Sequence, residues 1–449
     1  MQTNDTQDGF LKIIREAVHD YFIPPHLGKR SRAYHSESEH RQIVEEMRWY
    51  ALNHPFAAAA LEVRVSYVVG SGHTYNVVPK EGIDVPEAEV QRVSEYLREW
   101  MDADRWMLRQ REIQYQLDRD GEVFLIFFDT PTGLVVRTID PEFVCAPPDA
   151  PWTDSFGVRV DAADPETPLG YWINRDATSP ASSLSRRSFE FIDAAKIQHR
   201  KGNVLRTEKR GVPILWPCRE SLLRSYKILQ SMSTVAAIQA SVAAIVRRAA
   251  GSVAPFFQPN EPGAGKDAEG RTYQQLPPGS IVTLRPGEEW DAPANRIDVT
   301  NFASAVQAEL RAIAARLCIP EYMLSADASN ANYSSSLVAE GPAVKIFERA
   351  QSEMIWYDIE VLTRAIQYAE RLGLIPAGVS DKVRIEAEAP TPRSRDRLAE
   401  AQADQILLSA GVVSRETVAA RHGFDWPLER SRLEAEGGVI PTDLPQGLI

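Results

Sequence analysis

Cys318-Ile319-Pro320-Glu321-Tyr322-Met323-Leu324-Ser325-Ala326-Asp327-Ala328-Ser329-Asn330-Ala331-Asn332-Tyr333-Ser334-Ser335 is the stretch on which the reading of this chain turns. A helical pattern leads into it, opening near Thr300 or Asn301 and burying Phe302, Val306, Leu310, Ile313 and Leu317. That helix must stop at Pro320, because proline brings no N–H to continue the ladder. The chain then becomes a run of Ser, Ala, Asn and Asp with almost nothing to bury. A second long helical pattern follows from Leu337 to Leu372, with Phe347, Met354, Ile355, Tyr357, Ile359, Leu362 and Ile366. Long loops inside compact folds are usually functional or disordered. The bland alternative is an ordinary polar connection between helices.

Upstream, Gly211-Val212-Pro213 opens another long helix, about Trp216 to Ala250. Leu222, Tyr226, Leu229, Met232, Ala236, Gln239, Val242 and Val246 form its stripe. At 1.5 Å per residue it would run roughly 50 Å. Ala236, Ala237, Ala240, Ala243 and Ala244 keep it slim, which suits helices packed side by side, and Arg247-Arg248 suits a helix C-terminus. Residues 251–296 are broken by Pro and Gly, with strand-like Ile281-Val282-Thr283-Leu284 inside.

Nearer the start, Phe10, Ile13, Ile14, Val18 and Phe22 predict a helix that Pro24-Pro25 ends. Gly28-Lys29-Arg30-Ser31-Arg32 is a basic turn, either solvated or a contact for DNA or an acidic partner. Helices are expected from Ser38 to Ala60, interrupted at Asn53-His54-Pro55-Phe56, and from Pro86 to Gln110. From Ile113 to Ile197 the period becomes two. Ile113 to Leu117, a turn at Asp118-Arg119-Asp120-Gly121 and Val123 to Phe128 read as a hairpin. Further strands fit Leu134–Thr138, Phe156–Val160, Gly170–Asn174 and Phe189–Phe191. After Thr391 come shorter helices, Asp396–Ser409 and Ser414–His422.

The 449 residues exceed one core, so two or more packed regions are expected. Apolar content of 44% and charged content of 25% suit a soluble globular protein. No run is long enough to span a membrane, and the polar, acidic start is unlike a signal peptide. A net charge of −12 argues against a tight, sequence-independent grip on DNA. It is compatible with a wall that repels phosphate and lets DNA slide. Cys145, Cys218 and Cys318 form no CxxC pair and read as small buried hydrophobes rather than a disulfide or zinc set.

Catalytic motifs fail on inspection. Pro262-Gly263-Ala264-Gly265-Lys266-Asp267 has Asn260 where a phosphate loop needs Gly, and Asp267 where it needs Ser or Thr. Asp118-Arg119-Asp120-Gly121-Glu122 resembles part of a calcium loop, but its later ligands are misplaced. The eight histidines are scattered, with no HExxH and no Gly-x-Ser-x-Gly. Abundant carboxylates alone motivate a metal-dependent nuclease as the rival reading, and a structural scaffold without a DNA path as another.

Five phrases, in order, resemble the lambda-type branch of the portal proteins of tailed bacteriophages. They are Asn53-His54-Pro55 through Val68-Val69-Gly70-Ser71-Gly72; Gly121-Glu122-Val123-Phe124; Arg210-Gly211-Val212-Pro213; Leu276-Pro277-Pro278-Gly279-Ser280 through Arg285-Pro286-Gly287-Glu288; and Ile319-Pro320-Glu321-Tyr322-Met323-Leu324 with Ser329-Asn330-Ala331-Asn332-Tyr333-Ser334-Ser335. The chain departs from the family where Ser336-Leu337-Val338 replaces an expected Arg, and Ala410-Gly411-Val412-Val413-Ser414 reads like other portal branches.

The resemblance implies an α+β, mainly helical fold with a β-rich wing lobe, long stem helices, a clip projection and a helical C-terminal crown. It implies a wing at 1–215 (β-rich from about 111), a wing/stem helix at 216–250, a clip at 251–298 and a stem helix at 299–318. A tunnel loop at 319–336, a wing helix at 337–380 and a crown at 381–449 complete it. DNA would meet Asp327, Ser329, Asn330, Asn332, Tyr333, Ser334 and Ser335. The clip would dock partners through Pro259, Glu261, Lys266, Asp267, Arg271, Arg285 and Glu288. Implied partners are further copies of the chain in a ring, usually of twelve. The others are the terminase large subunit, a head–tail connector, the major capsid or scaffolding protein and double-stranded DNA, with no membrane. It would be made in the bacterial cytoplasm and end at one capsid vertex. No cofactor, metal or catalytic residue is expected.

Overall fold

The structure is a computed structural model that describes residues 33–175, 188–241, 245–248, 264–266, 272–274, 288–291, 300–327, 333–392, 397–422, 424 and 426–436. The chain divides into two compact units. The first comprises Met1–Trp216 and Glu340–Ile449, the second Pro217–Ala339. The helix expected near the N-terminus and the basic turn at 28–32 lie outside the described residues.

The first unit opens with α1 (Glu37–Asn53), capped by the Ser36 hydroxyl, which accepts from the Glu39 amide. His54 breaks it, and Pro55 starts α2 (Pro55–Val68), as a proline at the first helical position should. Strand β1 (Thr74–Pro79) follows. The single helix expected from Pro86 to Gln110 is instead two, α3 (Glu87–Asp104) and α4 (Trp106–Asp120). Arg105 separates them in the left-handed region, φ 54°. Helix α4 runs through Ile113–Leu117, so the expected first strand of a hairpin is helical. Its alternation is the buried face of a helix, with Gln110, Ile113 and Gln114 inside. The Asp118–Gly121 turn is the end of that helix, closed by Gly121 at φ 85°.

Two three-stranded sheets follow. In the first, β2 (Glu122–Thr130) is central, between β3 (Gly133–Ile139) and a strand absent from the sequence reading, Ile197–Lys201. In the second, β4 (Val158–Val160) and β6 (Phe189–Asp193) flank β5 (Pro168–Asn174). Phe124, Ile126, Val144, Val158, Tyr171 and Ile173 pack as one buried cluster. The strand Ile197–Lys201 is β7.

The second unit holds α5 (Arg219–Ser241), shorter than the expected Trp216–Ala250. The chain turns extended at β8 (Ile245–Arg248), so Arg247 and Arg248 cap no helix. The short strands β9 (Ala264–Lys266) and β10 (Thr272–Gln274) pair antiparallel. Strand β11 (Glu288–Asp291) pairs with β8 in a register that sets Glu288 against Arg248 and Glu289 against Arg247. A partner strand from elsewhere in the chain is what a helical-period reading of one segment cannot show.

Helix α6 (Thr300–Leu317) packs along α5. Leu222, Val306, Leu310, Ile313 and Leu317 are buried, and the Arg224 guanidinium clasps Glu309 at 2.7 and 3.0 Å. Burial alone would raise the Glu309 carboxyl, but hydrogen bonds from Arg224 and Ser221 outweigh it and lower it. A one-turn helix α7 (Tyr322–Ser325) follows the proline. Helix α8 then runs Tyr333–Arg371, four residues earlier than expected, with Pro342 inside it. Strand β12 (Val383–Glu388), unforeseen, pairs with β1. Helices α9 (Arg397–Ser409), α10 (Arg415–Arg421) and α11 (Trp426–Ala435) complete the described chain.

Two of the five sequence phrases meet in the first unit. The Arg210 guanidinium donates to the Glu122 carboxylate at 2.7 Å, and the Gly211 amide donates at 3.0 Å. His199 Nε2 lies 3.0 Å from the same carboxylate, its ring stacked on Phe124 at 4.0 Å. His40 Nε2 bonds the Gly211 carbonyl at 2.8 Å. The glycines are steric necessities. A Cβ on Gly211 would sit 1.9 Å from the Gly121 carbonyl oxygen, and one on Gly121 2.3 Å from the Val212 carbonyl carbon. Burial alone would raise the Glu122 carboxyl, but Arg210 and the His199 hydrogen bond hold it well below the usual carboxylate range. Burial, reinforced by Arg210 at His40, drives both histidines down to about 4, so each is neutral at pH 7.

A second buried cluster anchors α8. Asp358 accepts from Arg200 of β7 at 2.9 Å, Tyr75 of β1 at 2.6 Å and Gln110 of α4 at 2.8 Å. Helix, sheet and N-terminal strand thus share one carboxylate.

Three stability predictions follow from these contacts. Glu122→Gln leaves the Arg210 charge buried without its carboxylate and should destabilise the fold by about 3–5 kcal/mol in chemical denaturation. Between pH 6.5 and 4 the unfolded chain binds protons at its histidines while folded His40 and His199 do not. Stability should therefore fall as pH drops through that window, with Glu122 adding to the loss below about 4.5. A His40→Gln/His199→Gln variant should show a flatter melting profile over the same pH range. Finally, Cys318 sits at φ 55° just past α6, where its amide bonds Ala315 and that of Ile319 bonds Ala314. That is a helix-ending geometry made for glycine. Cys318→Gly should stabilise by about 1 kcal/mol, read as a higher melting temperature.

Candidate functional site

The polar bend after α6 is built from its two ends. At the first, Cys318 turns the chain in the left-handed conformation and its side chain is exposed, not buried as the sequence suggested; Cys145 and Cys218 are buried. Ile319 and Leu324 are buried, which pins the turn between them. Glu321 receives the Arg311 guanidinium at 2.7 Å, tying the bend back to α6. Helix α7 ends at Ala326, again left-handed at φ 56°. Asp327 is exposed, and its amide donates to the Ser325 hydroxyl at 3.3 Å.

At the other end Tyr333, Ser334 and Ser335 are not loop but the first turn of α8. The first amides of a helix lack intrahelical acceptors, a place where Ser is well tolerated. Ser329, Asn330 and Asn332 lie outside the described residues. The bend is therefore shorter than 319–336 implies, with one helical turn inside it and another helix taking its end. Glu321, which sequence reasoning did not single out, restrains it. No local signal marks that role, since it depends on Arg311 lying ten residues back along a helix.

Ala305, Ala308, Ala312 and Ala315 are exposed on the side of α6 away from its buried stripe. Apart from Arg311, whose guanidinium is tied to Glu321, this face carries small side chains, so another surface could approach the α6 backbone closely. Among the residues expected in the clip, Lys266 lies on β9 and Glu288 on β11. Pro259, Glu261, Asp267, Arg271 and Arg285 lie outside the described residues.

The calcium-like segment has a different use. Asp118 holds Arg64 at 2.9 Å, Asp120 holds Arg48 at 2.8 Å and Arg119 at 2.7 Å, and Glu122 holds Arg210. Each carboxylate is neutralised by an arginine, three of them from elsewhere in the chain, which leaves no open oxygen set for a metal. Among the described residues no group of three or more His, Cys, Asp or Glu is arranged to hold a metal ion. Among them, too, no helix is long and apolar enough to cross a membrane.

The model of the family described as phage portal protein, lambda family, matches residues 27–351. Among solved structures, the neck of an empty gene transfer agent particle computed with C6 symmetry is similar to the chain. Its TM-score is 0.51 at 14% identity, over 86% of this chain and 94% of that one. The virion of a native gene transfer agent particle gives 0.44 at 15% identity, over 86% and 94%. A crystal structure of an HK97 family phage portal protein from Corynebacterium diphtheriae gives 0.32 at 11%, over 80% and 96%. At such identities the first of these speaks for the fold. No curated protein matches the chain. The family model spans well over half of the sequence and includes all five phrases and the helix-ending bend, and on that ground the chain belongs to the lambda family of phage portal proteins.

Proposed function

We propose that copies of this chain, twelve by the family's usual number, close into a ring at one vertex of a phage-like capsid. Double-stranded DNA enters and leaves through the axis of that ring. The observation that carries the reading is the family match over residues 27–351, which contains the polar bend between α6 and α8. The alanine face of α6 supports it, because slim helices let neighbouring copies approach closely. So does the net charge of −12, since an acidic wall repels phosphate and keeps DNA mobile.

In this reading the bend at 319–336 meets the duplex through Asp327, Ser329, Asn330, Asn332, Tyr333, Ser334 and Ser335. The Ser, Asn and Tyr groups make exchangeable hydrogen bonds to phosphate, and Asp327 repels it, without the cationic grip that would stall sliding. The region 251–298 docks the terminase large subunit during filling and a head–tail connector afterwards, through Lys266, Glu288 and their neighbours. The wing at 1–215 and the crown at 381–449 face capsid or scaffolding protein and the capsid interior. The chain itself performs no catalysis, and the terminase supplies the energy.

Purified protein imaged by negative stain should show rings with a central hole, and a stable monomer under assembly conditions would count heavily against the reading. Asn332→Ala and Tyr333→Ala should reduce packaged or retained DNA while ring yield stays at the parental level. Parallel loss of both would make those residues structural. Charge reversal at Lys266 and Glu288 should weaken terminase capture in a pull-down without dispersing the ring.

A further inference from the structure

Lys209 is surrounded by oxygen. Its ammonium lies 2.9 Å from the carbonyl of Trp152, 2.7 Å from that of Thr153, 3.3 Å from that of Ser155 and 2.9 Å from that of Val158. The Ser155 hydroxyl is a fifth oxygen at 3.1 Å. These five come from one short segment, whose backbone is bent to aim them inward. Ser155 is extended (ψ 151°), Phe156 is left-handed at φ 61°, and Gly157 has φ 72°. A non-glycine residue in that region is held at a cost and persists only where its surroundings enforce it.

The cage contains no carboxylate. Asp154, in the middle of the segment, is committed elsewhere. It holds Arg159 at 3.0 and 2.6 Å and accepts from the Trp172 indole at 2.9 Å. The neighbouring residue repeats the pattern on the same stretch of chain. Arg210 donates to the carbonyls of Pro141 (2.9 Å), Val144 (2.7 Å) and Phe156 (3.1 Å). Two consecutive cationic side chains thus gather seven main-chain carbonyls from residues 141–158, which otherwise hold little regular structure. The segment carries Trp152 with its side chain 62% exposed.

We propose that the Lys209 ammonium occupies a site for a monovalent cation of ammonium or potassium size, and that it organises the 152–158 turn as a bound ion would. An ammonium offers three protons to five acceptors, so it acts as a compact charge shared among dipoles. Neutral carbonyl oxygens that replace a hydration shell are the ligands of potassium sites. Calcium and magnesium want carboxylates and shorter distances, about 2.3–2.6 and 2.0–2.1 Å. The inference does not depend on the portal reading.

The test uses the full chain with Lys209→Ala, which removes the internal cation and leaves its oxygens. In choline chloride the variant should melt about 5 °C below the parent. Potassium or ammonium chloride at equal ionic strength should restore at least half of that loss, lithium chloride should not, and the parent should melt alike in all four salts. Lys209→Met, whose apolar chain fills the space without charge, should be destabilised and gain nothing from potassium. A Lys209→Ala protein that melts like the parent, or that recovers equally in every salt, overturns the proposal. Should the alanine variant fail to fold, amine labelling of the parent decides. Lys209 should react at least about tenfold more slowly than the exposed Lys227, because labelling requires local opening, and equal rates would overturn the assignment.

Discussion

The first unit depends on burying one carboxylate beside one guanidinium. Glu122 and Arg210 are almost fully enclosed, and an unpaired charge there would be very costly. The pair is viable because every other donor and acceptor around it is used. Gly211 gives its amide to Glu122 and its carbonyl to His40, and Arg210 spends its remaining donors on three carbonyls. The approach is so close that neither Gly121 nor Gly211 has room for a side chain. The end of α4, the start of β2, the middle of β7 and the segment before the second unit are therefore fixed by one constellation.

The same logic recurs along α4. Asp118, Asp120 and Glu122 alternate in sequence and each takes an arginine from a different place, Arg64 on α2, Arg48 on α1 and Arg210. Asp358 does the same for α8. Buried ion pairs contribute less to net stability than to choosing one arrangement over others. For a subunit that must present the same flanks to identical neighbours, a unique arrangement matters more than extra stability. In the second unit the constraint is different. Helix α6 buries one stripe, exposes alanine on the other side, and is stopped by a left-handed cysteine before a proline. Beyond it Glu321 is tied back to Arg311 and α8 begins at Tyr333.

Much of this was legible in the chain itself. The interruption at His54-Pro55, the stop at Pro320, the buried stripe Val306–Leu310–Ile313–Leu317 and four strands of the β lobe follow from proline chemistry and hydrophobic period. The family phrases were legible too, and the family model, matching residues 27–351, includes all five. The errors have one cause. Ile113–Leu117 alternates because polar Gln114 is buried against Asp118, which a two-residue period cannot distinguish from a strand. Ile245–Arg248 is extended because β11 pairs beside it. Likewise β1 and β12, more than three hundred residues apart, are each other's partners among the described residues.

By itself, then, the sequence determined where prolines interrupt helices, which stripe of α6 is buried, that the chain is acidic, and to which family it belongs. Only the tertiary structure decided what the phrases are for. Gly121-Glu122 and Arg210-Gly211 look like markers in the chain and prove to be two halves of one buried contact, because a charge can be enclosed only by a partner brought from elsewhere. It also decided that Tyr333, Ser334 and Ser335 belong to a helix, since helix starts are set by the whole cooperative segment rather than by local composition.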